Sequence, residues 1–259
     1  FWKVYKLTVS GFALNYATPV GLMGGEPYRI MELTPYVGAS KATSSVILYV
    51  MMHIFSHFCF WFFSIFLYLA LRPVDIAMGT ILAVVGAVSL LAIYFFMKGY
   101  KNGMAVRTLK LLQHIPFIKE WAKRFSENKR EALERVDSQI AELHKQRRST
   151  FYASLSLEFM ARIIGCLEVY FILNILTTDV SFPACILIMA FTSLFANLFF
   201  FSPMQLGARE GGFALAVGGL AIPGAFGVYT GLITRVRELI WIVIGVLLMK
   251  VGNGTPANK

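Results

Sequence analysis

The sequence predicts an all-α fold: a polytopic transmembrane helix bundle with two broken or re-entrant helix elements in an internal repeat. Three observations carry that prediction. Hydrophobic residues make up 57% of the 259-residue chain and gather in long blocks, whereas soluble domains are about 45–50% apolar. The net charge of +10 is concentrated between Lys98 and Thr150, which hold 13 Lys or Arg against 6 Asp or Glu. Finally, a string rich in proline, glycine and charge interrupts membrane-grade sequence twice, as TPVGLMGGE over Thr18 to Glu26 and as SPMQLGAREGG over Ser202 to Gly212. Backbone freed from a helix in lipid costs several kcal/mol per unsatisfied group, so such breaks persist only against protein or a watery cavity. Paired breaks in two halves of a chain mark a transporter-like site.

Phe1 to Ala17 reads as the end of a membrane helix, and a chain opening on Phe1 with no signal-peptide pattern predicts membrane segments upstream. The first break follows at Thr18-Pro19, with Gly24 and Gly25 beside it, and a short helix is expected from Glu26 to about Tyr36. Glu26 and Arg29, three apart, share one face of it. Ser44 to Leu71 is a spanning helix, Arg72-Pro73-Val74-Asp75 a turn, and Ile76 to Met97 the returning span. The basic segment is expected to be cytoplasmic by the positive-inside rule, in contact with anionic lipid headgroups. Within it Gly103 to Phe125 reads as an amphipathic interfacial helix anchored by Trp121. Ser126 to about Arg148 reads as a soluble helix whose Leu133, Val136, Ile140 and Leu143 form one seam. That seam suits its neighbour, a second subunit in a homodimer, or a partner enzyme.

Phe151 to Leu176 and Pro183 to Phe201 are two more spans, joined by a short outer turn. The second break holds Pro203, Gly207 and Gly211; a glycine-rich segment, Gly211 to Ala221, precedes the last span, Ala225 to Val251. Residues 1–251 are therefore expected to form one integral membrane domain with the basic segment inserted, followed by a disordered polar tail over 252–259. Parallel and inverted repeats both stay open, because each break can form a re-entrant hairpin or cross fully. Counting spans with the basic segment inside gives both breaks the same entry side, which fits parallel repeats. An inverted pair requires one break to traverse.

Cys59, Cys166 and Cys185 all lie in apolar segments and read as small buried residues, with no disulfide framework. Nucleic-acid binding is not expected, because no basic motif is interleaved with exposed aromatics. No cofactor is expected either: the chain has no phosphate-binding P-loop, dinucleotide fingerprint or Ser/His/Asp arrangement. His53 and His57 share a helix face, but their helix offers no Cys or carboxylate to complete a metal site, so packing or a buried polar contact is the expected role.

The strings TPVGLMGGEPYR and SPMQLGAREGGFAL, with the arginine-bearing final helix LITRVRELI, resemble the lysylphosphatidylglycerol synthase transmembrane domain family. This is the flippase-like membrane domain of the bacterial multiple peptide resistance factor. The second motif in that family runs proline, two glycines, a further residue, glycine, glutamate; here Met204-Gln205 replaces the glycine pair. The resemblance implies a multi-pass protein of the bacterial inner membrane that binds or moves an anionic or aminoacylated phospholipid of the phosphatidylglycerol type. Aminoacyl transfer belongs to a separate soluble domain of the resistance factor and does not carry over to residues 1–259.

Charges at membrane depth cost about 2.5–3.5 kcal/mol each on insertion scales, so they pair and face inward. Glu26, Arg29, Glu168, Arg209, Glu210, Arg235 and Arg237 form the candidate substrate site on that basis. Arg209 with Arg235 or Arg237 would grip a lipid phosphate bidentately, while Glu26 and Glu210 would meet a cationic headgroup or steady the arginines. The plainer alternative is that these charges only glue helices or snorkel. Glu158 and Arg162, four apart, read as a structural pair, and Glu238 as one more charge of the last span. Two competing functions remain open: a membrane scaffold whose basic segment docks an enzyme, and a lipid-modifying enzyme with Glu210 as acid or base.

Overall fold

The computed structural model describes residues 1–17, 24–102, 134, 138, 148–177, 179–199 and 205–250, with side chains throughout except at 99–102 and 148. Pro19, Pro203, nearly all of the two helices expected over 103–148, and the tail fall outside these residues. Among the described residues the chain is helical, without strands. The helices are α1 (Trp2–Ala17), α2 (Gly25–Val37), α3 (Ala39–Leu71), α4 (Ile76–Asn102), α5 (Arg148–Leu176), α6 (Phe182–Leu198), α7 (Ala208–Gly218) and α8 (Gly224–Lys250). Three of them, α3, α4 and α5, are long and apolar enough to cross a membrane by length and composition. Helix α4 finishes and α5 starts at one end of the bundle, the basic end, where the basic segment is inserted.

The long helices start and stop where their sequence allows. Gly38 adopts φ +81°, a left-handed turn that β-carbon-bearing residues resist, and its N–H bonds the Thr34 carbonyl. That turn ends α2 and lets α3 begin at Ala39, five residues before the expected Ser44. Asp75 caps α4 through a 2.7 Å bond from the Met78 N–H. Ser181 caps α6 by accepting from the Ala184 N–H, and the Asn174 side chain ties the α5–α6 turn to both backbone groups of Val180.

The two broken elements are half-length hairpins that enter from opposite ends. In α1 and α2, Lys3 lies over the ring of Tyr36, Arg29 bonds the carbonyls of Leu7 and Thr8, and the Gly25 N–H bonds Asn15. That antiparallel run starts and finishes at the basic end, where α2 hands over to α3. In α6 and α7, Gln205 bonds the Ala196 carbonyl, Gly212 abuts Thr192, and Phe213 and Val217 pack with Cys185, Ile188 and Val180. This run starts and finishes at the far end. Of the two arrangements the sequence leaves open, parallel and inverted, this is the inverted one. The reason is length: α7 has 11 residues, roughly 16 Å at 1.5 Å each, and returns beside α6 instead of continuing through.

Helix α8 binds both hairpins. It runs antiparallel to α7, with Gly227 against Phe213 and Gly231 against Glu210, and antiparallel to α1, with Gly245 against Val9 and Ala13. Ser10 donates to the Gly245 carbonyl at 3.1 Å. Small residues let the backbones approach closely, which replaces the missing hydrophobic drive between helices in lipid. Gly25 does the same inside the first hairpin, where an added β-carbon would overlap the Gly11 carbonyl. Gly25→Leu is expected to lower stability by about 1–3 kcal/mol, the usual cost of overpacking. The midpoint of thermal unfolding in detergent checks this.

Candidate functional site

Both hairpins bring their inner ends to the middle of α8, and the charges gather there. The Arg209 guanidinium pairs with Oε1 of Glu238, and Arg235 Nη1 lies 3.6 Å from Oε2 of the same carboxylate. Arg235 also pairs with Glu210 at 2.7 Å. Arg237 reaches Glu168 of α5 at 3.0 Å. Glu238 is the hub and is almost wholly enclosed, at 4% side-chain exposure, while Arg237 at the rim is half exposed. Three guanidinium groups face three carboxylates, so the cluster is neutral as a whole. A lone buried charge would be costly; a balanced set survives inside hydrocarbon.

Glu210 has a second task. Its Oε2 accepts the Gly207 N–H at 2.9 Å and thereby satisfies a free donor at the start of α7. Gly207 sits at φ +78°, the left-handed turn that ends the break. Gly24 has an ordinary helical backbone (φ −76°), and Gly211 lies inside the first turn of α7, so neither of these residues supplies a turn.

The last turn of α1 joins the two hairpins. Asn15 accepts the Gly25 N–H at 2.6 Å and donates to Glu26 Oε1 at 3.2 Å. Its neighbour Tyr16 donates to Glu238 Oε1 at 3.5 Å. Glu26 in turn holds Arg29 at 3.1 Å, and Arg29 lies 4.9 Å from the centre of the Tyr49 ring. Adjacent residues of α1 thus touch the two sets of charges, Asn15 bonding Glu26 and Tyr16 bonding Glu238, which Arg235 links to Glu210. Glu26 Oε2 and Glu238 Oε2 are buried without a hydrogen bond. Asn15 and Tyr16 escaped the sequence reading, and Glu238 was left outside the site. Two polar side chains in the last turn before a break, and a glutamate three residues after Arg235, were the available signals.

The expected direct pair of Glu158 and Arg162 does not form. Arg162 donates to Ser56 Oγ at 2.8 Å and to the His53 carbonyl at 2.9 Å, with its Nη1 about 3.0 Å from the His57 ring. Glu158 instead reaches His53 Nδ1 at 3.3 Å. A guanidinium seated on His57 repels a metal cation at that ring, which answers the question raised by the two histidines. Among the described residues no group of His, Cys, Asp and Glu is arranged to hold a metal ion.

The chain matches the family described as "Lysylphosphatidylglycerol synthase TM region" over residues 1–245. It therefore belongs to that family, and with its long apolar helices it is a multi-pass membrane protein. Comparison with curated proteins gave no match, and comparison with solved structures gave none.

Proposed function

We propose that this member of the lysylphosphatidylglycerol synthase TM region family translocates a phospholipid headgroup through the seam where its two hairpins meet. The substrate is an anionic or aminoacylated phospholipid of the phosphatidylglycerol type. The membrane is the bacterial inner membrane, with the basic segment on the cytoplasmic side against anionic headgroups. One observation carries the reading: half-length hairpins from opposite ends converge on paired arginines and glutamates at the middle of α8.

In the arrangement described, each arginine of the seam is held by a carboxylate. A lipid phosphate entering the seam would exchange with Glu238 and Glu210 for the forks of Arg209 and Arg235, one charge-assisted set for another. The exchange keeps the buried charge balanced, provided the headgroup cation or a proton meets the released carboxylates. Opening from either side then amounts to moving one hairpin against α8, with the other still docked.

The experiment is a headgroup-translocation assay with fluorescent phosphatidylglycerol in vesicles carrying the purified protein. Arg209→Ala is expected to slow translocation at least ~10-fold, since a bidentate contact is lost, and Arg209→Lys to restore only part of it. Rates equal to wild type in both variants, with unchanged melting, contradict the assignment.

A further inference from the structure

Away from the seam, α3 and α5 frame a second polar site. A groove of about 610 Å³ lies between them on the basic-end half of the bundle. Ser45 and Thr150 line it toward the basic end, Tyr49 lies about one turn deeper on α3, and Ser154 and Glu158 lie about one and two turns deeper on α5. Leu48, Met52 and Leu157 supply apolar wall, and Leu157 is 71% exposed, so the groove opens toward the surrounding lipid. Among the described residues no lysine or arginine lines it, and Glu158 is the one carboxylate that does.

The carboxylate has been left available. Arg162, one helical turn further along α5, is drawn off by Ser56, His57 and the His53 carbonyl. Oε2 of Glu158 meets a half-exposed His53, and among the described residues Oε1 takes no hydrogen bond. A partly dehydrated carboxylate with one free oxygen, collared by hydroxyls and walled by apolar side chains, selects a cation that carries N–H donors and an attached apolar body.

We propose that this groove binds the primary ammonium headgroup of a phospholipid, with Glu158 as its counter-ion and its acyl chains lying along Leu157 outside. It is a different site from the arginine seam. The inference rests on the reading that the protein handles phospholipids, and it adds a headgroup class and a place of first contact. Tyr49 forms the inner wall and carries Arg29 on its ring, so a lipid held here lies next to the first hairpin.

Native mass spectrometry of the full chain, purified in detergent and offered phosphatidylethanolamine, phosphatidylcholine and phosphatidylglycerol in equal amounts, tests this. Wild type is expected to retain phosphatidylethanolamine about tenfold over the other two, the effect of one charge-assisted hydrogen bond. Phosphatidylcholine keeps the positive charge but lacks N–H donors. Glu158→Gln is expected to erase the preference; Ser154→Trp is expected to erase it by filling the groove with the carboxylate intact. Equal retention of the three lipids by wild type overturns the proposal, as does a preference that survives both substitutions. If Glu158→Gln does not fold, wild type and Ser154→Trp decide between these outcomes. Loss of the preference with normal phosphatidylglycerol translocation sinks this site alone. Intact preference without any translocation sinks the arginine seam alone.

Discussion

Replacing Glu238 with leucine is expected to destabilise the protein by about 3–5 kcal/mol and to abolish headgroup translocation. The substitution removes the hub and takes from the largely enclosed Arg209 the carboxylate it pairs with, while Arg235 keeps Glu210. Breaking one side of a buried ion pair costs more than replacing the whole pair, because the survivor keeps its charge in a poor solvent. The double variant Glu238→Leu, Arg209→Leu is therefore expected to recover much of the lost stability. It recovers no translocation, since the anion-binding fork is gone. Thermal unfolding in detergent and vesicle assays on the same preparations separate the two effects. A single variant as stable as wild type shows that the cluster is wetter and looser than described.

Gly227→Leu is the second large effect. A β-carbon built at Gly227 meets the Phe213 carbonyl oxygen at 2.5 Å and the Ala214 Cα at 2.7 Å, both backbone atoms that cannot swing aside. Helix α7 must move off α8, and the Arg209–Glu238 and Glu210–Arg235 pairs lie at the same interface. The expected loss is about 3 kcal/mol or more, at the upper end for overpacking, together with the loss of translocation. Gly211→Ala is the control. An added β-carbon there meets nothing within 4 Å, and alanine in a helix is favoured over glycine by about 1 kcal/mol. That variant is expected to be neutral or slightly more stable, although the glycine falls inside the break motif.

How legible this was in the sequence depended on the kind of information each residue carries. Apolar blocks ending before Thr18-Pro19 and at Arg72-Pro73 announce helices, because a broken periodicity or a missing N–H is a local matter. The family was legible from two strings and a final helix. Charges in the spans were legible as a set, since lipid makes them costly wherever they stand. Which charge meets which partner was not legible. Arg162 bypasses the glutamate four residues away for acceptors on α3, and Tyr16 reaches Glu238 across 222 positions of chain. Such pairings are decided by how helices dock. Sidedness stayed open for a related reason: an 11-residue apolar piece after a break can continue across or fold back, and only its packing on α6 through Gly212 and Phe213 selects the return.

Translocation through the seam requires the two hairpins to enter from opposite faces, and labelling the turns reads this directly. In intact cells, a membrane-impermeant maleimide is applied to Gly38→Cys, at the α2–α3 turn, and to Ala221→Cys, at the α7–α8 turn, with Cys59→Ser in both backgrounds. Ala221→Cys is expected to react from outside and Gly38→Cys only after the cells are opened. Both positions reacting from the same side would contradict the inverted arrangement and leave no seam at the middle of α8.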